Sequence, residues 1–213
     1  ILDHFNDALG TNVCYLMNVS GETIASSNRL APDSFVGKNF AFRPYFRRAI
    51  KGFPATRMAL GTASGRRGVY YSYPVYKSGY SNPIGVAVIK APIEPLEKEL
   101  HQGQGEIVLL TDPHGIVFIS NRKDWLLHSL WKLSSEEERE IAASRQFGEG
   151  PFPWTGLKME SPDRVVDPAG NRYLDYQMPI ESFPRWSAVY LQNLDAIAKK
   201  LSDPLLSITG ATV

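Results

Sequence analysis

The sequence has a single cysteine, Cys14, among 213 residues. That excludes an internal disulfide framework and any Cys-based zinc site, although one cysteine does not fix the compartment. An excess of one charge is also missing: 23 Lys and Arg stand against 22 Asp and Glu, for a net charge of +1. A dedicated nucleic-acid binder needs a concentrated basic face, so that class is not expected. Long apolar runs are absent too. The longest clean stretch, Ile84-Gly85-Val86-Ala87-Val88-Ile89, has strand length and falls far short of the roughly 18 residues of a spanning helix. There is no initiator methionine and no signal-peptide pattern, so the chain reads as a processed or excised piece of something longer. The four histidines, His4, His101, His114 and His128, are scattered without ligand spacing, and no metal is expected. What is present is a real core: 43% of residues are hydrophobic and 11% aromatic, which excludes disorder as the main state. At about 150 residues per domain the length suits one or two units.

Apolar residues at 1, 2, 5, 8 and 9 suit the end of an amphipathic helix that Gly10 stops. Strands are then expected at 13–18 and 23–27, joined by a turn through Val19-Ser20-Gly21. A helix is predicted over 41–50, closing at Gly52, and strands over 56–60, 69–75 and 83–90, with a hairpin loop at 77–82. A second unit begins near Gly103. It has strands at 107–111 and 116–120 around the turn Asp112-Pro113-His114-Gly115. Ser135 and Glu138 form a capping-box pattern for a helix running to about Phe147. Closing strands follow at 172–180 and 186–192, then a helix from about Leu194 that Pro204 limits. The resulting division is 1–9, 10–102, 103–192 and 193–213.

The two units resemble each other. At an offset of 94, Leu16, Gly21 and Ser26 fall on Leu110, Gly115 and Ser120; at an offset of 101, Pro83, Ala87 and Val88 fall on Pro184, Ala188 and Val189. The order within each half is that of a tandem duplication of a module with a strand hairpin, a helix and three strands.

The most informative segment is Asp33-Ser34-Phe35-Val36-Gly37-Lys38-Asn39-Phe40-Ala41-Phe42-Arg43-Pro44-Tyr45-Phe46, with Ala49 and Gly52 behind it. Together with Gly61-Thr62-Ala63-Ser64, Gly68-Val69-Tyr70-Tyr71-Ser72-Tyr73-Pro74-Val75 and Gly85-Val86-Ala87-Val88-Ile89-Lys90, it resembles the double-Cache, or tandem PAS-like, extracytoplasmic sensor domains. Within them it is most similar to the sensors of bacterial four-carbon dicarboxylate histidine kinases. The resemblance spans most of the chain, with its motifs concentrated between 33 and 90. It implies an α+β fold of two tandem PAS-like modules with antiparallel sheets flanked by helices. It further implies that 1–9 ends an N-terminal stalk helix through which a homodimer forms, and that the ligand module is the membrane-distal first one. Flanking transmembrane segments, a periplasmic location, a cytoplasmic output such as a histidine kinase, and no cofactor or catalysis in this piece also follow. Chemoreceptors and diguanylate cyclases use the same sensors, with other small metabolites as ligands.

The chemistry can be read beside the family. Arg43 offers a planar fork able to hold a carboxylate through two charge-assisted hydrogen bonds. Lys90 ends an otherwise apolar strand, and Thr62 and Ser64 add hydroxyls in a glycine-flanked segment. Two cations on opposite sides of a small polar pocket suit a small organic acid with two carboxylates. The resemblance adds Phe40, Tyr45 and Tyr71 to this ligand site. Family members often carry a tyrosine where this chain has Phe40, and a second hydroxyl where it has Ala63, which leaves the identity of the acid open. From residue types alone, Arg43 also fits a solvated helix start, and Lys90 an edge-strand charge that discourages aggregation. The second unit has Leu191 at the position of Lys90, and Asp124-Trp125-Leu126-Leu127-His128 in the region of Arg43. The cations are therefore a property of the first unit. A hydrolase using a serine and a scattered histidine, and a non-binding dimerisation module, are the competing classes. Gly61-Thr62-Ala63-Ser64-Gly65 is neither a nucleophile elbow nor a Walker loop. The segment 136–140 reads as a solvated helix face, and Trp125, Trp131, Trp154 and Trp186 as core anchors.

Overall fold

The computed structural model describes residues 1–100 and 106–198. The expected start of the second unit near Gly103, and the helix and tail beyond 198 with Pro204, lie outside them. The chain divides into two units, 1–94 with 145–148, and 95–144 with 149–213.

In the first unit, α1 (Leu2–Leu9) ends at Gly10 and is followed by β1 (Val13–Asn18) and β2 (Thr23–Ser26). Then come α2 (Pro44–Ala49), β3 (Ala55–Leu60), β4 (Arg67–Val75) and β5 (Gly85–Ala91). The strands form one antiparallel sheet in the order β2-β1-β5-β4-β3. Strand alternation sends Tyr15, Met17, Tyr70, Val86 and Val88 to the inner face, where α2 lays Tyr45, Phe46 and Ala49 on them. The helix starts three residues later than the pattern predicts. Arg43 precedes a proline, which disfavours the helical region, and it caps the helix in an extended conformation with φ −70° and ψ 130°.

After β5 comes a helix that the sequence pattern does not announce, α3 (Glu94–Leu100), with a proline in its first turn. In the second unit follow β6 (Glu106–Thr111), β7 (Val117–Ser120) and a 3-10 turn at Lys123–Trp125. Next are α4 (Ser135–Ser144), β8 (Lys158–Ser161), β9 (Arg164–Val166), β10 (Arg172–Pro179) and β11 (Ser187–Asn193). The sheet order is β7-β6-β11-β10-β9-β8. Leu109, Val117, Trp125, Leu130, Val165, Tyr173, Val189 and Leu191 form its core. Trp125 and Trp186 are core anchors, whereas Trp131 and Trp154 are partly exposed at 42% and 39%. The helix cap is displaced by one residue from the expected Ser135 and Glu138. Ser134 Oγ accepts from Glu137 N–H at 3.2 Å, while the Glu137 carboxylate accepts from Ser134 N–H at 2.8 Å and Ser134 O–H at 2.7 Å.

The sheets repeat one another in register. Tyr15 pairs with Ser26 and Leu109 with Ser120, and both hairpins carry a bulge at the same place, Leu16/Met17 and Leu110/Thr111. Gly21 and Gly115 close the two turns with φ 82° and 76°, a region that L side chains rarely adopt. Lys90 pairs with Val13, and Leu191 pairs with Ile107. Position 90 and position 191 are therefore equivalent in the backbone as well as in the sequence.

Candidate functional site

The inner face of the first unit carries two buried cations, Arg43 and Lys90, that contact no carboxylate at ion-pair distance among the described residues. Arg43 is 2% exposed and Lys90 1%. The Arg43 fork donates to two backbone carbonyls, Nη1 to Arg145 O at 2.9 Å and Nη2 to Leu60 O at 2.7 Å. Its guanidinium carbon lies 5.1 Å from the Phe42 ring centre. Lys90 Nζ donates to Ser64 Oγ at 2.8 Å and Arg66 O at 2.9 Å, and stands 5.6 Å from the Tyr70 ring centre. Burial lowers the Lys90 pKa to about 8, helped by the positive charge of Arg66 and opposed by Glu94 and Asp33. A shift of that size means on the order of 3 kcal/mol against the charged form. An arriving anion would relieve this cost.

Between the cations lies the bend at 61–66. A Cβ on Gly61 would meet Ser64 Oγ at 2.6 Å, Tyr70 Oη at 2.8 Å and Lys90 Nζ at 3.0 Å. Glycine is required there by close approach. On the Arg43 side, a cavity of about 10 Å³ is bordered by Tyr15, Phe40, Tyr45, Thr62 and Tyr70, among others. Tyr15 and Tyr45 share a hydrogen bond of 2.8 Å, and Tyr45 stacks on Tyr70 at 5.2 Å between ring centres. Burial pushes Tyr45 up to about 12 and raises Tyr15 and Tyr70 as well, so all three keep their protons and act as neutral hydrogen-bonding groups. On the Lys90 side, a cleft of about 430 Å³ is lined by Asn12, Asn28, Asp33, Ser64, Arg66 and Glu94.

Of the residues singled out in the sequence, Arg43, Phe40, Tyr45 and Thr62 border the inner cavity. Lys90 and Ser64 meet each other at the cleft. Tyr71 is not with them. It is 48% exposed on the outer face, beside Tyr73 and α1, because neighbouring strand residues point to opposite faces and Tyr70 is the inward one. Sequence reasoning missed Tyr15, Phe35 and Tyr70. The odd-numbered apolar positions of β1 are the signal for Tyr15 and the register opposite Lys90 that for Tyr70, whereas Phe35 lies in an irregular segment without such periodicity. As for a hydrolase, His114 meets Asp112 and His128 meets the Leu126 carbonyl, and neither bonds a serine among the described residues.

No family model matches the chain. Curated relatives do. The C4-dicarboxylate transport sensor protein DctB of Pseudomonas aeruginosa is 43% identical over 135 residues, which is 63% of this chain and 22% of that protein. DctB of Rhizobium meliloti is 35% identical over 190 residues, 85% of this chain and 29% of that protein. The crystal structure of the Vibrio cholerae histidine kinase DctB sensor domain superposes with a TM-score of 0.83 at 32% identity, covering 90% of this chain and 76% of that one. The chain belongs to the DctB sensor-domain family. It spans about a quarter of the length of the curated relatives. The two sheets are accordingly the tandem PAS-like modules of that family.

Proposed function

We propose that the chain is the periplasmic sensor domain of a membrane histidine kinase and that its first unit binds a four-carbon dicarboxylate. One carboxylate is held by Arg43 and the other by Lys90, beneath the bend at 61–66. The observation that carries this reading is the pair of buried cations, flanking Gly61 and Tyr70, whose hydrogen bonds among the described residues go to neutral oxygens. The relatives' printed names, C4-dicarboxylate transport sensor proteins, support the same class of ligand. An inner cavity of about 10 Å³ has room for about one water, so binding requires the bend to move outward. Ser64 Oγ and the Arg66 carbonyl hold that bend to Lys90. A carboxylate competes well for the ammonium, because charge-assisted bonds are about twice as strong as neutral ones. The charged hydroxyl-rich site also explains why a small acid, and not an apolar metabolite, is the expected ligand.

A second copy is the expected partner. Ile1, which caps α1, and Phe5 and Leu9 on it recur four residues apart and are exposed at 88%, 57% and 55%, which suits packing against another stalk helix. For the ligand, titration calorimetry and thermal unfolding with succinate are the test. At a hundredfold excess over Kd, binding to the folded state alone adds about 2.7 kcal/mol of stability. No heat and no shift with succinate, fumarate or malate, beside a clear shift with another metabolite class, would refute the reading.

A further inference from the structure

Arg43 is held by a part of the chain far from it in sequence. Residues 145–148 lie in the first unit, whereas Ser144 before them and Glu149 after them are counted with the second. They run along β3, the edge strand of the first sheet, where unpaired backbone groups would otherwise be left open. Leu60 N–H donates to Gln146 O at 2.8 Å, and Gln146 Nε2 donates to Met58 O at 2.9 Å. Arg145 itself adopts a left-handed backbone with φ 53°, a conformation that persists in a non-glycine residue only where its surroundings hold it. Its carbonyl accepts from Arg43. Its guanidinium, like that of Arg43, lies over the Phe42 ring, at 5.3 Å and 5.1 Å respectively.

We infer that residues 145–148 are a strap that positions the Arg43 fork for its ligand, and that a carboxylate held by Arg43 tightens the strap. This rests on the reading that the first unit binds a dicarboxylate through Arg43. A guanidinium has five N–H donors. Here the Leu60 and Arg145 carbonyls take two of them, from separate segments, and fix the plane of the fork. The remaining donors serve a carboxylate without those bonds being given up. A ligand on the fork removes its rotational freedom, so both carbonyl contacts persist for longer. Because the chain continues from α4 directly into Arg145, occupancy of the site restrains the end of α4 through the backbone itself. Arg145 and Gln146 are positioning residues and do not touch the ligand.

Hydrogen exchange on the 213-residue chain tests this. Without ligand, Arg43→Ala should speed exchange in peptides covering 57–61 and 143–148 and leave the rest of the chain at its wild-type rates. Unchanged exchange there overturns the strap. Added succinate should slow exchange in the same peptides of the wild-type chain; unchanged or faster exchange overturns the coupling. Gln146→Ala should weaken succinate binding by about fivefold, the effect of one neutral hydrogen bond, with the unfolding temperature nearly kept. Wild-type affinity in that variant also counts against the strap. If the wild-type chain binds no succinate in calorimetry, the dicarboxylate reading fails, and the ligand-free comparison still decides whether the strap exists.

Discussion

The two modules share a strand order, a bulge and a register, yet they place opposite chemistry at the same point. In the first, Lys90 stands between Val13 and Tyr70; in the second, Leu191 stands between Ile107 and Asp175. Both position 90 and position 191 are 1% exposed. Leu191 contributes the ordinary 1.5–3 kcal/mol or so of a buried aliphatic side chain, whereas Lys90 costs stability. The second unit even turns the sign around. Asp175 Oδ1 is buried with no hydrogen-bond partner among the described residues, while Oδ2 accepts from Gln177. A carboxylate ligand would be repelled there. The same strand register thus carries a buried cation in one unit and an aliphatic side chain at the equivalent position of the other.

The largest expected effect comes from importing the residue of the second unit into the first. Lys90→Leu should weaken dicarboxylate binding by about two orders of magnitude or more, since one ligand carboxylate would be left buried without its partner. Arg43→Ala should do the same. The unfolding temperature of Lys90→Leu should hold or rise, because replacing a buried charge with a well-packed apolar side chain is neutral or stabilising. Calorimetry and thermal unfolding on the same samples separate the two effects. Near wild-type affinity in Lys90→Leu would remove the two-cation site.

The next effect is in pH. The Lys90 pKa is about 8 in the folded chain against an ordinary lysine value of 10.5. The unfolded chain therefore binds more protons between those values, and the Lys90 contribution to stability rises with pH across that window. Dicarboxylate affinity should move the other way and fall above about pH 8, as the ammonium is lost. Lys90→Leu should show neither trend. Urea unfolding and calorimetry from pH 7 to 10 give both slopes, and a wild-type affinity that stays flat to pH 10 would mean that Lys90 does not hold the ligand.

A smaller pH effect of the same origin and opposite sign belongs to the second unit. Burial raises the pKa of Asp175 above the ordinary carboxylate range, opposed by the hydrogen bond from Gln177. Here the folded state binds the extra proton, so stability falls as pH rises from the ordinary carboxylate range toward the raised folded value. Asp175→Asn should be close to wild type at acidic pH and more stable at neutral pH. A variant less stable than wild type at pH 7 would show that the carboxylate has a partner that stabilises its charge.

Much of this contrast is legible in the sequence, and the parts that are not have physical causes. The offsets that match Lys90 with Leu191 hold because the duplicated strands keep their register. The choice of Tyr71 over Tyr70 fails because Tyr70-Tyr71-Ser72-Tyr73 alternates equally well in either parity, and only pairing with Lys90 shows which tyrosine faces inward. The hairpin of β8 and β9 escapes notice because most of its residues are exposed and polar, so it lacks the apolar alternation that marks a half-buried strand. The strap at 145–148 gives no local signal, since its partners, Met58, Leu60 and Arg43, are distant in sequence. The helix cap is ambiguous for a simpler reason: Ser134-Ser135 before Glu136-Glu137-Glu138 satisfies the capping pattern in two registers.

That ambiguity leads to the smallest expected effect, which compares how the two modules start a helix. In the first, α2 opens with Pro44 behind an extended Arg43 and has no side-chain cap; the missing proline N–H and fixed φ do the work. In the second, α4 opens on the reciprocal bonds between Ser134 and Glu137. Ser134→Ala removes the hydroxyl that accepts the Glu137 N–H, and should cost about 1 kcal/mol, or roughly 2–4 °C in unfolding temperature for a chain of this size. Ser135→Ala, in the competing register, should change little. Dicarboxylate affinity should be unaffected in both, since α4 supplies no residue to the site in the first unit. Thermal unfolding of the two alanine variants side by side decides the register: a larger loss in Ser135→Ala than in Ser134→Ala would move the cap to Ser135 and Glu138.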